Sequence, residues 1–165
     1  MLPLLLGLTL AATLAACGFH PRGMVRIPPQ WTPLALESPR ESNLLRDLRR
    51  SLESAGIPLA EGDRPPGAVL SIEERPLLRR VLSVGSDGRA REYELTLGVA
   101  VSLTSGDGES LMPRRLLRLR RDLTWDEGDV LGKAGEEAII RQEMERDLAR
   151  LILRQVEHTL REEKR

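Results

Sequence analysis

Apolar residues recur along the chain in two distinct rhythms. Leu44, Leu45, Leu48, Leu52 and Ala55 return every three or four positions, the spacing of one helical face. The helix expected there runs from Arg40 to Gly56, with Ser38 and Glu41 as a capping box, Pro39 at the first helical position and Gly56 as the C-terminal stop. Further on, Tyr93, Leu95, Leu97, Val99, Val101 and Leu103 alternate strictly with Glu92, Glu94, Thr96, Gly98, Ala100 and Ser102. That is a strand with one face buried and one face polar or small, as in an antiparallel sheet covered on one side. Shorter strand signals flank it. Leu34 and Leu36 alternate, Val69, Leu70 and Ile72 lead to Pro76, residues 77–84 run to the turn Ser86-Asp87-Gly88, and residues 115–124 return after Gly106-Asp107-Gly108. A second helix closes the chain. Ile140, Met144, Leu148, Leu151, Ile152 and Val156 form its packing stripe, and Glu143, Arg146, Asp147, Arg150 and Arg154 its solvated face. Asp126, Glu127 and Asp129 crowd its start, and Arg161, Lys164 and Arg165 its end, as the helix dipole favours. The fold class expected is α+β, a two-layer sandwich with two helices packed on one face of a four-stranded, mostly antiparallel sheet, formed by a single domain over residues 34–165.

Residues 1–16, MLPLLLGLTLAATLAA, carry no charge and are too short to span a bilayer, but they suit a secretory signal that is removed. The segment ends at the only cysteine. Leu14-Ala15-Ala16-Cys17 resembles the lipobox of bacterial lipoproteins, in which small residues admit the peptidase before a diacylated cysteine. Cys17 is then the mature N-terminus, carrying covalent lipid as its only attached group, and residues 17–33, with Pro28, Pro29 and Pro33, form a lipid-anchored tether.

Composition narrows the function. The 165 residues hold 25 basic and 25 acidic side chains, so no net field draws in a polyanion, and with 2% aromatics there is little on which to stack bases; nucleic acid is not an expected partner. One cysteine and two histidines provide neither a disulfide nor a metal cluster. No nucleophile, base or phosphate loop is legible, and no enzymatic role or catalytic residue is expected. The zero total conceals segregation. Residues 75–121 hold ten arginines against five acids, while residues 122–165 hold eight basic and twelve acidic groups. The arginines either meet phosphates and carboxylates, which their planar fork suits, or pair with Glu92, Glu94 and the acidic helix as a solvated face.

The order of motifs supplies a resemblance. Cys17-Gly18-Phe19-His20-Pro21-Arg22, Trp31 with Leu34 and Leu36, Glu92-Tyr93, and Val130-Leu131-Gly132-Lys133 with Glu136-Glu137 and Glu143-Met144 together resemble the LPS-assembly lipoprotein family, LptE, over the whole mature chain. The resemblance implies a non-enzymatic lipoprotein of the cell outer membrane, on the periplasmic side. Its partners would be a large β-barrel, LptD, which it plugs and helps assemble, and lipopolysaccharide, which it helps deliver to the outer leaflet. It also implies lipopolysaccharide contacts at Lys133 and, in the hairpin before the Glu-Tyr strand, at Arg89 and Arg91. The alternative is a freestanding periplasmic lipoprotein that binds an anionic ligand on its basic sheet.

Overall fold

One strand organises the sheet. The structure, a computed structural model, describes residues 25–125 and 130–163. In chain order it contains β1 (Leu34–Glu37), α1 (Asn43–Ser54), β2 (Ala68–Glu74), β3 (Leu78–Val84), β4 (Ala90–Ser105), β5 (Ser110–Thr124) and α2 (Val130–Glu162). The 16 residues of β4 are long enough for two strands to share one of its edges. β2 pairs antiparallel with the C-terminal half of β4, from Ala68 opposite Ser105 to Glu74 opposite Val99. β3 pairs with the N-terminal half, from Leu78 opposite Thr96 to Val84 opposite Ala90. β5 occupies the whole other edge, and β1 lies parallel beside β2. The sheet therefore has five strands, not four: β2 and β3, separated at Pro76, pair with successive halves of the same edge of β4, and β1 adds beside β2. Two helices and a mostly antiparallel sheet make up the fold, as the periodicity predicts.

The period-two stripe of β4 lies against the helices: Leu95, Val99 and Leu103 have no exposed surface, and Leu97 and Val101 are nearly as buried. Leu70, Leu123, Met144, Leu148 and Ile152 meet them in one continuous core, and each such side chain contributes about 1.5–3 kcal/mol on burial. The α2 stripe continues one step past Val156 to Leu160, also fully buried. Val25, Ile27 and Trp31 pack on the edge of this core, so the segment read as a tether is held to the body from Val25 onward.

The ends of α1 differ from one another in how they were legible. Its N-cap is Ser42, whose hydroxyl accepts from the Leu45 backbone N–H at 3.1 Å; Ser38 instead donates to the Arg40 carbonyl in the preceding bend. The helix starts at Asn43, later than the Ser38, Pro39 and Glu41 pattern suggests, because Ser42 offers the first turn a hydroxyl of its own. Glu41 is used in another way, as the ion-pair partner of Arg49 at 3.3 Å. The C-terminus follows the expectation. Gly56 takes φ +70°, its N–H bonds the Glu53 carbonyl and the Ile57 N–H bonds Leu52, which is a Schellman closure.

A second contact binds the helices to each other. Glu145 on α2 is 3% exposed, yet its oxygens accept from Arg141 Nε at 3.0 Å and from Asn43 Nδ2 of α1 at 3.2 Å. A buried carboxylate with two charged or polar donors is tolerated where an unpaired one would not be. Cys17, the lipobox and the acidic residues Asp126, Glu127 and Asp129 lie outside the described residues, as do Lys164 and Arg165.

Candidate functional site

The β3–β4 hairpin projects past the helices. In β3 only Ser83 is even partly buried, and Leu78, Val81, Leu82 and Val84 expose between 43% and 63% of their surface. Its turn is closed by the Gly85 N–H on the Arg89 carbonyl at 2.7 Å and the Gly88 N–H on the Gly85 carbonyl at 3.0 Å. Asp87 serves both the turn and its basic group. One carboxylate oxygen accepts from the Arg89 backbone N–H at 3.2 Å and the other from Arg91 Nη2 at 2.8 Å. The other predicted ligand, Lys133, lies near the start of α2, with Nζ 2.7 Å from Glu136 Oε2 and its side chain 20% exposed.

Between these two stands a cluster that sequence reasoning missed. The Arg79 guanidinium lies 3.7 Å from the Tyr93 ring centroid and 4.2 Å from that of Trp125, while Nη1 is 3.2 Å from Glu137 Oε2. Tyr93 and Trp125 meet edge to face, with centroids 5.8 Å apart and planes at 85°. The Trp125 backbone N–H in turn donates to the Arg91 carbonyl at 2.7 Å. Arg79 thus joins the hairpin, the end of β5 and α2 in one clamp, and Glu137 is one helical turn from Lys133 on the same face. The structure brings Arg91 and Lys133 to one end of the molecule through this chain of contacts. A signal for it existed in the sequence: the turn at Ser86-Asp87-Gly88 places Arg79, Val81 and Tyr93 on one face of the hairpin, but Glu137 lies 58 positions from Arg79.

The two readings of the arginine-rich region each hold for part of it. Arg80 pairs with Glu94 across strands at 3.2 Å, Arg121 with Asp147 of α2 at 2.8 Å, and Arg114 with Glu73. The hydrogen bond from Arg114, offset in part by desolvation and aided by the charge of Arg75, holds the Glu73 carboxyl below the usual carboxylate range. By contrast, Arg118 and Arg120 stand on the sheet face away from the helices, opposite Gly98 and Thr96, with no ion pair among the described residues. Among the described residues no group of three or more His, Cys, Asp or Glu side chains could hold a metal ion, and no helix is long and apolar enough to cross a membrane.

Comparison with known proteins agrees with this architecture. The chain is 34% identical over 157 residues to the LPS-assembly lipoprotein LptE of Photorhabdus laumondii, covering 94% of this chain and 85% of that one. It is 31% identical to the protein of the same name from Pectobacterium atrosepticum, covering 93% and 83%. Among solved structures, the rare lipoprotein B of Shewanella oneidensis superposes with a TM-score of 0.72 at 25% identity, over 80% of this chain and 98% of that one. Lipoprotein B from Nitrosomonas europaea gives 0.67 at 29% identity, over 85% and 90%. The model of the LptE family, described as lipopolysaccharide-assembly, matches residues 31–156, from the turn before β1 to the last third of α2, and the chain belongs to that family.

Proposed function

We propose that this protein is an outer-membrane lipoprotein, anchored on the periplasmic side through acylated Cys17, that seats in and helps assemble an LptD-type β-barrel and assists lipopolysaccharide transport without chemistry of its own. The observation that carries the reading is the family match across residues 31–156, which spans both the hairpin with Arg91 and the helix start with Lys133. Physical features support it. A plug must be near neutral to enter a polar lumen while still offering cations to an anionic glycolipid, and a balanced total with ten arginines in residues 75–121 meets both needs. Lys133, Arg89 and Arg91 are the proposed lipopolysaccharide contacts, with the phosphates taken by ammonium and guanidinium donors.

Mild detergent extraction of outer membranes, followed by affinity purification of this protein, should recover a β-barrel of far larger mass in stoichiometric amount; recovery of the lipoprotein alone would refute the partner. Lys133→Glu is expected to weaken lipopolysaccharide binding by about tenfold or more, since it reverses a charge at the site, and to leave barrel recovery unchanged. Equal affinities would remove Lys133 from the site. Cys17→Ala should abolish incorporation of labelled palmitate, and unchanged labelling would dispose of the anchor.

A further inference from the structure

Arg91 and Lys133 stand on two arms that have both left the core. On the hairpin side, β3 is almost wholly exposed and the turn lies beyond the helices. On the helix side, from Gly132 to Ile140, only Lys133, Glu137 and Ile140 are partly buried, at spacings of four and three along one stripe, while the small residues Ala134, Gly135 and Ala138 are exposed. Each cation is oriented within its own arm. Asp87 holds Arg91 at 2.8 Å inside the turn, and Glu136 holds Lys133 at 2.7 Å along α2, so neither of these ion pairs crosses from one arm to the other. The crossing is made by Arg79, whose Nη1 reaches Glu137 at 3.2 Å.

That crossing sets a distance. Glu137 is one helical turn from Lys133, a step of about 5–6 Å, and Arg91 lies two residues before Tyr93 on the same face of β4, a step of about 7 Å. Between these steps the Arg79 guanidinium spans from the Tyr93 ring at 3.7 Å to Glu137. The two cations are thereby held apart at one separation. They engage a single ligand together only if it presents two anionic groups, and fixing the separation beforehand spares the cost of ordering the arms on binding.

We propose that Arg91 and Lys133 form one two-point site for a ligand carrying two phosphates, and that Arg79 is its positioning residue, fixing the separation of the cations by tying the hairpin to α2 through Glu137. The two-point site rests on the reading of Arg91 and Lys133 as lipopolysaccharide contacts, and adds the requirement that both be engaged at once. Arg79 takes no phosphate itself. Its guanidinium is stacked on the Tyr93 and Trp125 rings and donates to Glu137, and its side chain is 33% exposed. A guanidinium and an ammonium each hold a phosphate through charge-assisted bonds, so a second phosphate contributes only where the second cation stands within its reach.

The test titrates the acylated full chain in detergent micelles, by calorimetry, with the deacylated glucosamine disaccharide of lipopolysaccharide bearing a phosphate at both ends or at one end only. The readout is the ratio of the bisphosphate affinity to that of the tighter monophosphate, which a loss of folded protein leaves unchanged because it lowers both alike. Wild type should show a ratio of about ten or more, the gain expected from a second charge-assisted contact. Arg79→Ala and Glu137→Ala should each bring it to about two, and Arg79→Lys, which keeps a cation facing Glu137, should fall between. Glu137→Ala is the decisive variant, because it removes a negative charge beside Lys133: attraction by net charge alone predicts a higher ratio, and the tie predicts a lower one. A wild type that binds the two ligands equally, or a Glu137→Ala ratio equal to or above that of wild type, overturns the two-point site. Failure of the underlying contacts looks different. Arg91→Gln and Lys133→Gln would then leave both affinities at their wild-type values, and the two-point site falls with the contacts. If those substitutions weaken binding while Glu137→Ala keeps the wild-type ratio, the contacts stand and the positioning by Arg79 falls.

Discussion

Removing the Arg79 guanidinium takes away two aromatic contacts and an ion pair together. With its side chain 33% exposed and Glu137 25% exposed, the pair lies between the surface and buried regimes. A cation over an aromatic face is worth about 0.5–1 kcal/mol when partly exposed and about 2 kcal/mol when desolvated, and an exposed ion pair about 0.2–1 kcal/mol. Since the contacts share one side chain and do not add in full, Arg79→Ala is expected to cost about 2 kcal/mol, or a melting-temperature drop of about 4–8 °C for a domain of this size. Urea unfolding followed by tryptophan emission is the direct assay, because Trp125 is one of the rings that Arg79 covers. A cycle with Glu137→Gln divides the cost. The ion-pair coupling should come to no more than about 1 kcal/mol, with the remainder in the rings, and Arg79→Lys should fall between wild type and alanine because it keeps charge and loses the planar stack. A loss under about 0.5 kcal/mol for Arg79→Ala, or an Arg79→Lys variant equal to wild type, would refute the clamp as a source of stability.

Two glycines predict opposite outcomes. A Cβ on Gly106 would stand 2.1 Å from the Pro66 carbonyl oxygen, so Gly106→Ala should lower the urea midpoint by the equivalent of about 1–3 kcal/mol; Gly135, exposed on α2 with nothing within 4 Å, should gain about 0.8–1 kcal/mol as alanine. Ser42→Ala is expected to cost about 1 kcal/mol by the same measurement, while Ser38→Ala stays within about 0.5 kcal/mol; the reverse order would restore Ser38 as the cap. Glu73 supplies a pH signature. Its carboxyl is depressed in the folded state, so its stabilisation is full above the unfolded value and is lost as pH falls through the folded one; the stability gap between wild type and Glu73→Gln should close as pH falls below the ordinary glutamate value of about 4.3, and a gap independent of pH would contradict the assignment.

Periodicity carried most of the architecture, and it did so where one face of an element is buried along its whole length. The β4 stripe and the α2 stripe are of that kind, and every apolar position in them that the pattern places inside is buried or half-buried. The pattern was silent where two elements compete for one neighbour. Nothing local says that residues 68–74 and 78–84 share an edge of β4; the register of a third strand decides it. Side-chain pairing over long separations was equally hidden. Glu145 sits among charged residues of α2 and differs from Glu143 only in facing Asn43, 102 positions away. Arg79 and Arg80 are adjacent in sequence, yet one turns to Glu137 and the rings and the other to Glu94 on the opposite face. For the candidate site, the motif order pointed to Lys133, Arg89 and Arg91 separately, and the clamp between Arg91 and Lys133 had to come from the fold.

β4 runs unbroken past the point at which Pro76 interrupts its neighbour, and this makes it a cantilever. Its root, from Leu95 to Leu103, is packed on the helix-covered core and flanked by neighbouring strands, while its tip, from Ala90 to Glu92, carries the hairpin turn in solvent with only β3 and the end of β5 beside it. A load on the tip is therefore borne at the root, through a strand paired on both edges along most of its length, with the Arg79 clamp acting as a strut where the beam leaves the wall. A partner that closes on the hairpin meets a surface already held in shape, and little ordering entropy is lost in seating it. Amide exchange along the single strand should grade accordingly, fastest at the free end and slowest where the beam is built in.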